Sequence, residues 1–265
     1  MTKKSKIKDN GLFDIIVTPP KVILVDWSVF VHRSIFAWSN QKGAIPATYY
    51  CLNSLLTCLR YIEPKKDDLI ILAIDSYGKG NWRRDYDPAY KTNRKESRQK
   101  HEDINWTKQF EDMNVLLNNV HNSTPFIPIQ VDRLEADDII SYACRYYTDR
   151  AKVILTTDSD MNQLYFLGNV KIFSPVNKKF REVLYPLREL SKKIKKETTD
   201  NLITPITNQV EYDRRKTIVS LLQLPAEVEE PLKNIFINLK PKDEYYPDKI
   251  MFPSLKNKYD TLFKE

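Results

Sequence analysis

The chain has little of several things that enzymes and secreted proteins commonly use. Three histidines stand in 265 residues, His32, His101 and His121, widely separated, which argues against chemistry built on a histidine metal cage or a histidine triad. Three cysteines, Cys51, Cys58 and Cys144, make an odd number without C-x-x-C spacing, each among apolar or aromatic neighbours. That excludes a disulfide framework or zinc site and fits reduced core thiols in a cytosolic protein. No window approaches the run of about 18 apolar residues that a membrane span needs. The opening "MTKKSKIKDNGLFDIIVTPP" is basic but lacks a sustained apolar stretch and a small-residue cleavage site, so no signal peptide is read. A soluble, cytoplasmic chain with no membrane partner is expected. Only five glycines occur and none follows Gly168.

What is present is globular in composition, and the length allows one main core with a smaller appendage. The formal net charge of +7 and pI near 9.0 make a polyanionic partner plausible without establishing one. Residues 1 to 20 read as a mobile tail closed by Pro19-Pro20. The short apolar runs "KVILVDWS", "DDLIILAIDS", "TPFIPIQV", "KVILTTDSD" and "NVKIFSPV" read as buried strands. Helical spacing appears in "YYCLNSLLTCLRYIEP" and "DDIISYACRYYTDR". Strands alternating with helices imply an α/β fold with a mainly parallel sheet flanked by helices. Beyond residue 183 the chain reads as helices broken at prolines. We therefore expect a tail (1–20), a core (21–183) and a C-terminal helical region (184–265).

Ligands of such sheets bind beyond the carboxyl ends of the strands, and four runs lead there to acids. Asp26, Asp75, Asp158 and Asp160 end strands, and Glu135, Asp137 and Asp138 open a helix. Any one of them taken alone reads as a cap or turn residue. Seven unpaired carboxylates in one cleft repel one another, so a cation is required. Oxygen-only ligands favour Mg²⁺ or Mn²⁺, and so many acids suggest two ions about 3.5–4 Å apart, the usual clamp for phosphodiester cleavage. The helix dipole favours the three acids in the first turn.

Between the second and third strands, "KGNWRRDYDPAYKTNRKESRQKH" holds eight basic residues, Lys79, Arg83, Arg84, Lys91, Arg94, Lys95, Arg98 and Lys100, against three acidic ones, a net of +5. Trp82, Tyr86 and Tyr90 are interleaved, a pattern suited to stacking on unpaired bases while the cations hold phosphates. A solvated charged loop is the alternative. A second basic run, from "KKFR" through "RELSKKIKK", reads equally well as a solvated helix face.

Together, "VDWS", "AIDSYGKGNWRRDYDPAYKTNRK", "EADDII" and "TTDSDMNQL" resemble the 5′-3′ exonuclease and flap endonuclease family, over roughly residues 20 to 183. The resemblance implies a PIN-like nuclease core and a magnesium-dependent 5′-nuclease of phage-type replication or repair, with two Mg²⁺ ions that Mn²⁺ can replace. It implies a first metal site of Asp26, Asp75, Glu135 and Asp137, and a second to which Asp138, Asp158 and Asp160 contribute. Lys91 and Arg94 match the family's basic gateway at the scissile phosphate. Arg83 and Arg84 are expected to steer the strand, with Tyr90 and Lys95 beside them. Implied partners are single-stranded or flapped DNA, RNA–DNA primers, and replication proteins such as a single-strand-binding protein or clamp, with the chain a monomer. One departure stands out. The family's glycine-containing helix-three-turn-helix, with its G-D-x-x-D pair, has no counterpart after "SPVNKKFREV", and Asp200 is the acid nearest in sequence that can substitute. Two alternatives stay open: a nucleic-acid-binding or assembly module on the same fold, and a ribonuclease acting on structured RNA.

Overall fold

The computed structural model describes residues 19–76, 80–92, 103–195 and 206–263, apart from the side chain of residue 189. The tail expected at residues 1 to 20 therefore falls almost wholly outside the described residues, as does Asp200.

Six strands form one sheet: β1 (Val22–Asp26), β2 (Leu69–Ile74), β3 (Phe126–Gln130), β4 (Lys152–Leu155), β5 (Val170–Ser174) and β6 (Lys179–Phe180). They lie in the order β3-β2-β1-β4-β5-β6. The first five are parallel, and β6 turns back antiparallel to β5. Val22 to Val25 have no exposed surface because helices cover both faces, which is why the run is uninterruptedly apolar. Alternate residues serve opposite layers. Ile23 and Val25 meet α1 (Trp27–Asn40), α2 (Ala47–Ile62) and α4 (Trp106–Ser123), whereas Val22 and Leu24 meet α5 (Ala136–Tyr146). A four-residue helix, α3 (Arg83–Tyr86), precedes α4.

The helix expected to stop at Pro64 ends at Ile62, and Glu63 closes it in the left-handed region at φ 52°. The residue before a proline is kept out of the helical region, which fixes that stop. Helix α1 was not foreseen. It starts directly at Asp26, so the first strand-end acid is also the first helix's N-cap residue.

The C-terminal helices are α6 (Pro186–Lys195), α7 (Gln209–Val219), α8 (Ala226–Phe236) and α9 (Lys256–Phe263). They spread over both faces of the sheet: Val228, Leu232 and Phe236 join the α5 layer, and Leu255 and Tyr259 join the α2 layer. Prolines do not break every helix there, for Pro231 lies inside α8; Leu232 and Phe236, nearly without exposed surface, hold it in place by packing. No helix among the described residues is long and apolar enough to cross a membrane.

Phe236 is 1% exposed and lies 5.2, 5.8 and 6.0 Å by ring centroid from Tyr142, Tyr146 and Tyr147. Phe236→Ala is expected to cost about 3–5 kcal/mol in chemical denaturation. Val210→Ala, at a site 74% exposed, is expected to change stability by less than about 0.5 kcal/mol. Equal effects would show that the C-terminal helices are not part of the core.

Candidate metal centre and nucleic-acid interface

The strand order reverses between β1 and β4, and the crevice at that point is where a doubly wound sheet binds its ligand. Asp26 ends β1 there, 3% exposed, and accepts hydrogen bonds from the Ser28 hydroxyl (2.8 Å) and the Thr156 hydroxyl (2.8 Å). Thr156 in turn accepts from the Asp158 backbone N–H (3.0 Å), so one hydroxyl ties the ends of β1 and β4 together. On the other side, Asp75 follows β2 and accepts from the Ala136 N–H (2.8 Å) at the first turn of α5. Asp137, half-buried, projects from that same turn.

These acids act on one another. Burial, then the Asp75 charge, pushes the Asp26 carboxyl up to about 6, against the two hydroxyl donors. Asp137 is raised well above the usual carboxylate range by burial, then by Asp158 and Asp26, with Lys91 opposing. The structure thus brings together Asp26, Asp75, Asp137 and Asp158. Among the described residues no three acid, histidine or cysteine side chains already close on a single metal position. The donors still suit a hard divalent ion that keeps several of its waters: they are carboxylates only, and two of them are raised by burial and by neighbouring carboxylates, which a bound cation would offset.

Beside this group lies a second network with a different function. Arg83, 2% exposed, donates to Asp138 Oδ1 through Nη2 (2.7 Å) and to Oδ2 through Nη1 (3.0 Å). Its Nη1 also reaches Glu135 Oε2 (3.2 Å), and its Nε reaches the Ile218 carbonyl (2.9 Å). Asp138, fully buried, also accepts from Trp82 Nε1 (3.0 Å) and from the Glu135 N–H (2.9 Å). Glu135 further accepts from the Tyr90 hydroxyl (3.0 Å) and pairs with the Lys91 ammonium. Burial acts to raise the Glu135 carboxyl, yet Lys91 and then Arg83 outweigh it and bring it down to about 2.

Several expectations are corrected here. Asp138 is not open to an ion, because four donors occupy its oxygens. Arg83 does not steer a strand; it is a buried bidentate partner. Tyr90 (5% exposed) and Trp82 (4%) are core groups, not base-stacking platforms. The short helix α3 separates the two arginines: Arg83 turns inward and Arg84 outward, exposed, with Nε on the Tyr90 carbonyl (3.3 Å). Lys91 adopts φ 56° and lies 5.0 Å from the Tyr90 ring centre. A non-glycine residue held there stores strain of roughly 1–3 kcal/mol, which functional sites commonly retain. Asp160 heads the 3-10 helix Asp160–Leu167. Arg94 and Lys95 lie outside the described residues.

A model of the 5′-3′ exonuclease N-terminal, resolvase-like domain matches residues 21–197. The chain belongs to the 5′-3′ exonuclease family. Ribonuclease H of Enterobacteria phage T4 is 30% identical over 167 residues, covering 61% of this chain and 54% of that protein, so the chain spans about half the length of this curated relative. The D15 protein of phage T5, co-crystallised with metal ions, superposes with a TM-score of 0.63 at 15% identity, over 82% of this chain and 98% of that one. A variant of the bacteriophage T5 D15 flap endonuclease, in a complex with DNA and metal ions, gives 0.57 at 19% identity, over 81% and 83%. At such identities the likeness is one of fold, the resolvase-like, PIN-like architecture of this family.

Two groups escaped the sequence reading of this family member. Thr156 opens "TTDSDMNQL", but only the acids of that run were given a role. Arg181 donates to the Thr156 carbonyl (3.0 Å), the Asp158 carbonyl (2.6 Å) and Asn162 (3.1 Å), buttressing the turn that presents Asp158. Its only signal was its place in the basic run "KKFR".

Two measurements follow from this geometry. Arg83→Lys keeps a charge but loses the fork that spans both Asp138 oxygens, and about 1–3 kcal/mol of stability is expected to go with it. An unchanged melting midpoint would contradict the buried role. Because the folded Asp26 carboxyl is raised from 3.8 to about 6, the folded state binds that proton more tightly than the unfolded chain. Its contribution therefore declines as pH rises from about 4 to about 6 and is fully unfavourable above. In EDTA at pH 8, Asp26→Asn is expected to stabilise the protein by on the order of 3 kcal/mol, with the gain fading toward pH 4. A destabilised variant at pH 8 would contradict the repulsion.

Proposed function

We propose that this chain is a metal-dependent 5′-nuclease that hydrolyses phosphodiester bonds in single-stranded or flapped DNA or in RNA–DNA primers. The observation that carries this reading is the set Asp26, Asp75, Asp137 and Asp158 at the sheet's switch point, two of them raised in pKa by burial and by their neighbours' charge. These four side chains are the ones proposed to hold Mg²⁺, with Mn²⁺ able to replace it. A divalent cation bound there supplies Lewis acidity toward a phosphate and lowers the pKa of water.

The chain's own groups do the rest. Glu135, brought down to about 2, stays ionised at any working pH and fixes the Lys91 ammonium at the rim of the acidic edge. Lys91 offers positive charge where an anionic strand meets that edge, offsetting repulsion and stabilising charge that develops on the phosphate. Arg84, exposed beside it, is proposed to hold the strand's backbone, with Arg94 and Lys95 continuing that path in sequence. Such contacts act on phosphate without reading base identity.

A 5′-labelled flap and a matching single strand, incubated with Mg²⁺, Mn²⁺ or EDTA, test this directly. Cleavage is expected only with metal, and none from Asp26→Asn. Lys91→Ala is expected to lower kcat/KM by about 10²–10³-fold. Metal-independent cutting, or binding without cutting in any metal, would replace the nuclease reading with that of a nucleic-acid-binding module.

A further inference from the structure

Helix α7 stands beyond residue 197, outside the stretch that the family model matches, yet its end touches both walls of the acidic edge. It stops at Val219, and Ser220 leaves it in an extended conformation at ψ 129°. The last carbonyls of a helix have no partner within it and need donors from elsewhere. Here the donors come from far away in sequence. Arg83 Nε donates to the Ile218 carbonyl (2.9 Å), and Gln163 Nε2 donates to the Val219 carbonyl (3.2 Å). Two residues on, the Leu221 N–H donates to Gln163 Oε1 (2.7 Å), and the Leu221 carbonyl accepts from the Ser141 hydroxyl. Gln163, Ser141 and Leu221 are all buried. A buried amide must satisfy its donor and its acceptor, and the Val219 carbonyl and Leu221 N–H fit only one orientation of it.

We propose that residues 218–221 form a clasp across the metal edge and that Gln163 is its positioning residue, fixing the turn that carries Asp158 through its paired hydrogen bonds to the clasp. The proposal rests on the reading of that edge as a metal site.

The clasp reaches each wall through a different side chain. Arg83 holds Asp138 and Glu135 at the start of α5, and Ser141 lies on α5 itself. Gln163 lies on the 3-10 helix that Asp160 heads, three residues along, which is one turn of such a helix. One four-residue segment therefore ties the wall that presents Asp137 to the wall that presents Asp158. Packing supports the same geometry. Ile218 is buried with Tyr90, whose hydroxyl meets Glu135, and Leu221 shares a core layer with Met161 and Leu164 of the 3-10 helix. Replacing the Gln163 amide by an apolar side chain leaves a buried N–H and a buried carbonyl unpaired. The segment must then withdraw or the 3-10 helix must shift, and either change moves Asp158 relative to Asp137. Groups that support metal ligands from behind govern affinity by about 10–100-fold.

Mn²⁺ titration of the full chain, with free Mn²⁺ counted by electron paramagnetic resonance, tests the proposal beside thermal melting. Gln163→Met is expected to weaken Mn²⁺ binding about 10-fold and, on a flap substrate at fixed Mn²⁺, to lower kcat while KM stays at the wild-type value. Ser141→Ala, which loses only the tie to α5, is expected to weaken Mn²⁺ binding by a smaller factor. Phe236→Ala, a core substitution outside the clasp, is expected to melt lower and to bind Mn²⁺ as the wild type does. Wild-type Mn²⁺ affinity in a folded Gln163→Met overturns the proposal. An equal loss of affinity in Phe236→Ala also overturns it, because the effect would then be one of general stability. If Gln163→Met does not fold, Ser141→Ala decides in its place, and unchanged affinity there overturns the clasp. No bound Mn²⁺ in the wild type overturns the metal reading on which the clasp rests, an outcome distinct from failure of the clasp alone.

Discussion

Like charges crowded at the carboxyl edge of a buried sheet are the constraint on which the rest of the structure depends. Burial first and then the charge of neighbouring carboxylates raise Asp26 to about 6 and push Asp137 well up, which expresses the cost. The fold answers with cations placed around the edge. Arg83 neutralises Asp138 and braces Glu135, and Lys91 completes Glu135. Asp26, Asp75, Asp137 and Asp158, gathered where the strand order reverses, are the acids proposed to hold a metal ion.

The bracing of Asp138 and Glu135 gives the site its rigidity. Breaking a buried ion pair leaves an uncompensated charge, so the Arg83–Asp138 pair holds the start of α5 in one orientation. Asp75 fixes the same turn from the sheet side through the Ala136 N–H. Asp137 is therefore set between two anchors, one on β2 and one on the α3 segment. Across the crevice, Thr156 and Arg181 do the same for Asp158. Such support is what places a constellation accurately enough for chemistry.

How much of this was legible depended on whether the signal was local. The strands were, because residues such as Val22 to Val25 are buried on both faces and their apolar run is unbroken. Strand-end acids were, because the sheet's geometry alone puts Asp26 and Asp75 at one edge. The inward turn of Arg83 was not: in "NWRRDY" nothing distinguishes it from Arg84, and its partner Asp138 lies 55 residues away. Trp82 and Tyr90 looked like stacking groups for the same reason, since aromatic residues among cations serve cores and nucleic acids alike. Helix α1 was passed over although Phe30, Val31, Ser34 and Ile35 are buried at helical spacing.

In the reading proposed above, Asp26, Asp75, Asp137 and Asp158 hold the metal, and Asp138 and Glu135 do not. Anomalous diffraction from crystals grown with Mn²⁺ tests it most directly. Expected is a peak bounded by Asp26, Asp75, Asp137 and Asp158, with the Arg83 guanidinium still on Asp138. A peak coordinated by Asp138, with Arg83 displaced, would contradict it.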